Sequence, residues 1–134
     1  MILTDLMTED VLTTSAEVSV AAAAKAMTDR EIGSACVVDE GGRLVGIITE
    51  RDVLRAAASG RDLNDETVTD WMTADPITVT ADEVPSEVAN TMRERGFRHL
   101  PVVEDEQLVG IVSLRDLWKF SFLPAEPDDM TMRH

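Results

Sequence analysis

The chain has 134 residues, a formal net charge of −14 and a hydrophobic fraction of 44%. That length suits one compact domain or two small lobes, and the apolar content excludes a disordered chain. The charge argues against a nucleic acid or an anionic membrane as partner, because phosphate binding needs a basic surface.

Aromatic residues make up only 4%, so the core must come from Val, Ile, Leu, Ala and Met. The single Cys36, within "SACVVD", reads as a small buried hydrophobe and excludes an intrachain disulfide. No apolar run reaches transmembrane length. The start, "MILTDLMTED", lacks the basic region and long apolar stretch of a signal peptide, so a cytoplasmic location is expected. The basic residues include only two lysines, Lys25 and Lys119. Abundant Asp and Glu with scarce Lys is a composition similar to that of proteins from salt-loving archaea and bacteria.

In chain order, a short β-rich stretch "VLTT" (11–14) precedes a helix over about 19–30, "SVAAAAKAMTDR". Two apolar runs follow, "ACVVD" and "RLVGIIT", joined by Gly41-Gly42, a hairpin-type signal. A second helix is expected at about 50–59. The segment "GRDLNDETVTD" (60–70) is polar and without periodicity until "VTDWM". Then the order repeats. "ITVT" (77–80) precedes a helix over about 83–95, where Pro85 fits only the first turn. "LPVVE" and "QLVGIVS" form a pair whose turn lacks glycine, and a closing helix is expected at about 114–121. The stretch 123–134, with two prolines and little apolar content, reads as a frayed tail.

The repetition extends to individual residues. Met7-Thr8 aligns with Met72-Thr73, Ala16 with Ala81, Met27 with Met92, and Val37-Val38 with Val102-Val103. After the longer first turn, Leu44-Val45-Gly46-Ile47 aligns with Leu108-Val109-Gly110-Ile111, and Asp52 with Asp116. The expected boundaries are 7–60 and 72–122 for the two units, with 61–71 as linker. The expected fold is mixed α/β (α+β): two pseudo-symmetric β-α-β-β-α units packed through their sheets. A single such unit buries little surface, which explains the pairing.

The phrases "GIITERD" and "GIVSLRD" end each hairpin. Thr49-x-x-Asp52 and Ser113-x-x-Asp116 have the spacing of a capping box at a strand-to-helix junction. Capping alone accounts for the hydroxyl and the acid. It does not require Gly46 and Gly110, which would let another group approach the backbone, nor Arg51 and Arg115. A helix start with a hydroxyl and an Arg could cradle phosphate, and an Asp suits a ribose diol, so the phrase also reads as half a nucleotide site. Other chemistry is missing from the sequence. There is no Walker loop or G-x-G-x-x-G, and one Cys with His99 and His134 cannot make a zinc constellation. No feature points to an enzyme.

The ordered pieces "MTEDVLTTSAEVSVAAAAKAM", "ACVVDEGGRLVGIITERDVL", "MTADPITVTADEVPSEVANTM" and "FRHLPVVEDEQLVGIVSLRDLW" resemble a tandem pair of CBS domains, the cystathionine β-synthase regulatory module. The resemblance implies a pseudo-symmetric disc that binds an adenosine-containing ligand, AMP, ADP, ATP or S-adenosylmethionine, in two clefts between the units. It places the ribose carboxylates at Asp52 and Asp116 and the phosphate-side hydroxyls at Thr49 and Ser113. One expected set joins Thr49, Arg51 and Asp52 with Thr80, Ala81, Phe97 and Arg98. The other joins Ser113, Arg115 and Asp116 with Ser15, Ala16, Ile32 and Gly33. On this grouping the Asp52 set holds the extra cation Arg98, with His99 beside it, and prefers phosphorylated ligands. Where the second unit has Leu100-Pro101, the first has Ala35-Cys36, a departure from the family's usual Leu-Pro. The resemblance also implies a homodimer acting on a separate regulated protein. The rival expectation is an interaction module without a ligand, in which both Asp residues only cap helices.

Overall fold

The computed structural model describes residues 2–119; the expected tail, 123–134, lies outside them. The chain divides into two units. One is Val11–Pro76, and the other joins residues 2–10 to 77–119.

In the Val11–Pro76 unit, strand β1 (Thr13–Thr14) leads to helix α1 (Val20–Asp29). Ser19 caps this helix, its side chain accepting from Ala22 N at 3.0 Å. Val20, Ala23 and Met27 form its buried face, at the i, i+3, i+7 spacing of an amphipathic helix. Strands β2 (Ser34–Val38) and β3 (Leu44–Thr49) make the antiparallel hairpin expected around Gly41-Gly42. They are rich in β-branched residues, which fit a pleated buried surface. Helix α2 (Glu50–Ala58) follows β3 without a loop.

The segment expected as linker is tied down. Helix α3 (Val68–Trp71) lies within it, and Val68 is fully buried. Val20 N donates to the Glu66 carbonyl and Val68 N to the Val18 carbonyl, at 2.8 and 2.9 Å. Strand β4 (Thr73–Ala74) then pairs antiparallel with β3, completing a sheet of order β1-β2-β3-β4.

The other unit repeats this plan. Helix α4 (Pro85–Arg95) starts on Pro85, as its missing N–H predicts, and ends on Gly96 in the left-handed region at φ 74°. The matching position after α1 is Glu31, which adopts φ 55° without glycine's freedom. Strands β5 (His99–Glu104) and β6 (Gln107–Ser113) pair antiparallel, and helix α5 (Leu114–Lys119) follows directly. Their turn lacks glycine, so Asp105 and Glu106 take positive φ themselves, 50° and 66°. "ITVT" contributes one parallel bridge, Val79 to Val102, rather than a full strand. Thr8 makes the antiparallel bridge to Ile111 that β4 makes to β3 in the first unit.

Residues 2–10 therefore complete the unit that lies farthest along the chain. Leu3 and Leu6 are buried in its core with Val88, Met92, Leu100, Val112 and Leu117. The Val11–Pro76 unit has its own cluster, built from Ala23, Met27, Ala35, Val37, Ile48 and Val68. Cys36 is buried, and burial pushes its thiol up to about 12, as suits an inert hydrophobe.

Among the described residues Asp52 is the one buried acidic side chain. The other described carboxylates lie at or near the surface, where they repel one another. The Debye length falls from about 10 Å at 0.1 M salt to about 3 Å at 1 M. The melting temperature is therefore expected to rise across that range of KCl. A flat profile in differential scanning calorimetry would show that the acidity has no bearing on stability.

Candidate functional site

The junction between β3 and α2 is closed by the box expected from its spacing. Thr49 N donates to Asp52 Oδ2 at 2.9 Å, and Asp52 N donates to Thr49 Oγ1 at 3.4 Å. The Thr49 hydroxyl also donates to Oδ2, at 3.1 Å. The other carboxylate oxygen, Oδ1, accepts from Arg55 Nη1 at 3.0 Å. In the second unit Ser113 N donates to Asp116 Oδ2, and Asp116 N donates back to Ser113 Oγ, both at 3.0 Å. Each box fixes one carboxylate oxygen beside a hydroxyl at the start of a helix. Arg51 and Arg115 are exposed in those first turns.

The glycines of the repeated phrase have a different partner from the one expected. A Cβ on Gly46 would lie 2.5 Å from Met72 Sδ and 3.0 Å from the Thr73 carbonyl oxygen. One on Gly110 would lie 2.7 Å from Met7 Sδ and 3.1 Å from the Thr8 carbonyl oxygen. The group that approaches each glycine is the Met-Thr pair that also recurs in the sequence, and it belongs to the same unit. These glycines serve strand pairing.

The hairpins bring further residues to the boxes. Ser34 pairs with Thr49, and Glu50 N donates to the Gly33 carbonyl at 3.0 Å. His99 pairs with Ser113, and Leu114 N donates to the Arg98 carbonyl at 2.9 Å. Within the units, Gly33 thus neighbours the Asp52 box and Arg98 the Asp116 box. An antiparallel hairpin sets the residues before its first strand beside those after its second, so the Arg98 backbone lies next to the start of the helix that carries Asp116. Glu50 sharpens the contrast, because the matching residue is Leu114. His99 adds no charge at neutral pH. Burial holds its imidazole below the usual histidine range, opposed by the Asp116 carboxylate and reinforced by the Arg98 guanidinium.

The remaining expected residues serve their own units. Ala81 is buried in the core, and Phe97 is half-buried against it. Ala16 packs against the other core and accepts from Thr69 N and Oγ1, at 3.0 and 2.7 Å. Ser15 is half-buried beside it, and Ile32 is exposed. Thr80 is exposed, its N donating to Glu83 Oε2 at 2.9 Å. Sequence reasoning missed Arg55, whose spacing of three residues from Asp52 on one helix is the available signal.

The doubled hairpin-and-box plan has a known counterpart. A family model described as CBS domain matches residues 3–59 and 68–117. The chain belongs to the CBS domain family. Among curated relatives it is 43% identical over 113 residues to an uncharacterized 17.7 kDa protein of Acidianus ambivalens, covering 84% of this chain and 68% of that protein. It is 34% identical over 114 residues to the CBS domain-containing protein YhcV of Bacillus subtilis, covering 84% of this chain and 80% of that one. Of another relative, MJ1225 of Methanocaldococcus jannaschii, 37% identical, it spans only 41%. Among solved structures, the CBS domain pair of protein MJ0100, in complex with 5′-methylthioadenosine and S-adenosyl-L-methionine, superposes with a TM-score of 0.83 at 32% identity. That match covers 90% of this chain and 98% of the other. The CBS-domain containing protein ATU1752 of Agrobacterium tumefaciens gives 0.84 at 31% identity, with the same coverage of 90% and 98%.

Proposed function

We propose that this CBS domain pair is a regulatory module that binds adenosine-containing ligands, AMP, ADP, ATP or S-adenosylmethionine, and passes their occupancy to a partner protein, working in the cytoplasm as a homodimer. The observation that carries the reading is the duplicated box. In both units a carboxylate is anchored through one oxygen at a helix start beside a hydroxyl, as a ribose diol and a phosphate require. The likeness to MJ0100, which holds two adenosine compounds, supports it.

Local charge gives the ligand preference. Around Asp116 stand Arg98 and Arg115, whereas around Asp52 Glu50 offsets Arg51 and the Asp52 carboxylate is itself paired with Arg55. On a protein of charge −14, such differences decide where an anion settles. The Asp116 side suits phosphorylated ligands, and the Asp52 side suits neutral adenosine or cationic S-adenosylmethionine.

The test is titration calorimetry with AMP, ATP, S-adenosylmethionine and adenosine on the wild type, Asp52→Asn and Asp116→Asn. A charged hydrogen bond contributes roughly 1.5–3 kcal/mol, so each variant should lose about tenfold or more in affinity at its own site. AMP and ATP should respond chiefly to Asp116→Asn. A second reading, a ligand-free interaction module, is favoured by the caps that already occupy both carboxylates and by the packing of Ala16, Ala81 and Phe97 on their own cores. It requires that none of the four compounds produce heat and that both variants only lose stability.

A further inference from the structure

The first box has a contact that the repeat does not foreshadow. Asp52 is buried, its side chain 10% exposed, and both of its oxygens are engaged. The cap takes Oδ2, through Thr49 N and Oγ1. Arg55 takes Oδ1, at 3.0 Å.

Arg55 is itself held from a second side. Its guanidinium carbon lies 5.7 Å from the centre of the Trp71 ring, within cation–π range. Trp71 packs against the core of the unit and donates through Nε1 to Glu66 Oε1 at 3.0 Å. Glu66 is paired in turn with Arg61 at 3.5 Å. The ring is therefore a fixed platform, and Arg55 bridges it to the carboxylate. Asp116 is followed at the same spacing by Lys119, whose ammonium has no planar fork with which to bridge a carboxylate and a ring.

We propose that Arg55 is an intramolecular competitor for the ligand at Asp52, a latch that a ribose must displace. The inference rests on the reading of Asp52 as a ribose carboxylate. A ribose diol donates hydrogen bonds to a carboxylate, and the oxygen outside the cap is the one that Arg55 occupies. The latch is built to release. The Arg55 side chain is 61% exposed, and ion pairs of such exposure are weak. The Asp52 site is thus held at lower affinity than its residues would otherwise give, and the pair fills in sequence, with the Asp116 side first.

The test uses the full chain with Asp116→Asn, which weakens the other site, and compares Arg55 with Arg55→Met, which keeps an apolar stem over Trp71. Adenosine is the probe, because it has no phosphate for Arg55 to attract. Removing a weak competing pair should tighten adenosine binding by about threefold to fivefold. In a Trp118→Phe background, adenosine should also shift the Trp71 emission when Arg55 is present, and should not after Arg55→Met. Unchanged or weaker adenosine binding in Arg55→Met would overturn the latch. So would unchanged adenosine binding with weakened AMP binding, which would make Arg55 a phosphate ligand. Absence of binding in both proteins would overturn it too, since release would expose nothing. Adenosine and AMP binding to Asp116 in the otherwise wild-type chain reports on the general reading separately.

Discussion

Leu3→Ala is expected to destabilise the protein by about 2–5 kcal/mol, the usual cost of emptying a fully buried leucine site. Leu3 is 0% exposed, although it stands two residues from the chain start. Its neighbours are Leu6 and the buried faces of the unit formed by 77–119, among them Val88, Met92 and Leu117. The segment is held by more than apolar contact. Thr8 N donates to the Ile111 carbonyl at 2.8 Å, and Ile111 N donates back at 2.9 Å. The loss should appear as a fall in melting temperature on the order of 10 °C. Thr4→Ala is the control, because Thr4 is exposed and a surface change should stay within about 0.5 kcal/mol. Equal melting temperatures for the two variants would show that residues 2–10 are not part of the core.

The second large effect is expected at the glycines of the repeated phrase. Gly46→Ala would set a methyl 2.5 Å from Met72 Sδ and 3.0 Å from the Thr73 carbonyl oxygen. The methionine end can swing aside, but the carbonyl is backbone and lies in β4, paired to β3 itself. Relief requires the strands to part, and forced overpacking of this kind costs about 1–3 kcal/mol. Gly110→Ala meets the same arrangement with Met7 and Thr8, and should cost a similar amount. Gly41→Ala separates this cause from the loss of glycine as such. Its nearest atom, Asp39 Oδ1, would be 3.5 Å away, an ordinary contact. Denaturant unfolding should show Gly41→Ala near the wild type and the other two well below it. Three equal midpoints would remove the close-packing account.

The Arg55 contact changes how the repeat itself is understood. Duplication supplies two boxes of the same design, and divergence at single positions then makes them unequal. Glu50 against Leu114, and Gly33 against Arg98, alter the charge around each carboxylate. Arg55 against Lys119, with Trp71 behind the former, alters its availability.

The amino-acid sequence by itself determined the secondary structure and the repeat. The Ser19 cap, Pro85 at a helix start, Gly96 at a helix end and the alternation of apolar runs are local signals, and the hairpin strands and the helices α1, α2 and α4 formed within a residue or two of their expected places, whereas "ITVT" contributed a single bridge and α3 and β4 were not expected. Both hydroxyl–carboxylate boxes were legible for the same reason, since a box needs only residues three apart. The tertiary structure alone decided matters of long range. Nothing near Leu3 or Met7 indicates that they complete a unit whose other residues begin at Ile77. The partner of each glycine lies tens of residues away, at Met72 and Met7, so the demand for a missing side chain was visible but its cause was not. Hairpin pairing set the Arg98 backbone beside Leu114, at the start of the helix that carries Asp116, and the short helix carrying Trp71 placed a ring behind Arg55. Local free energies choose the elements; which of them share a core is chosen by burial, and burial depends on partners that no window of sequence contains.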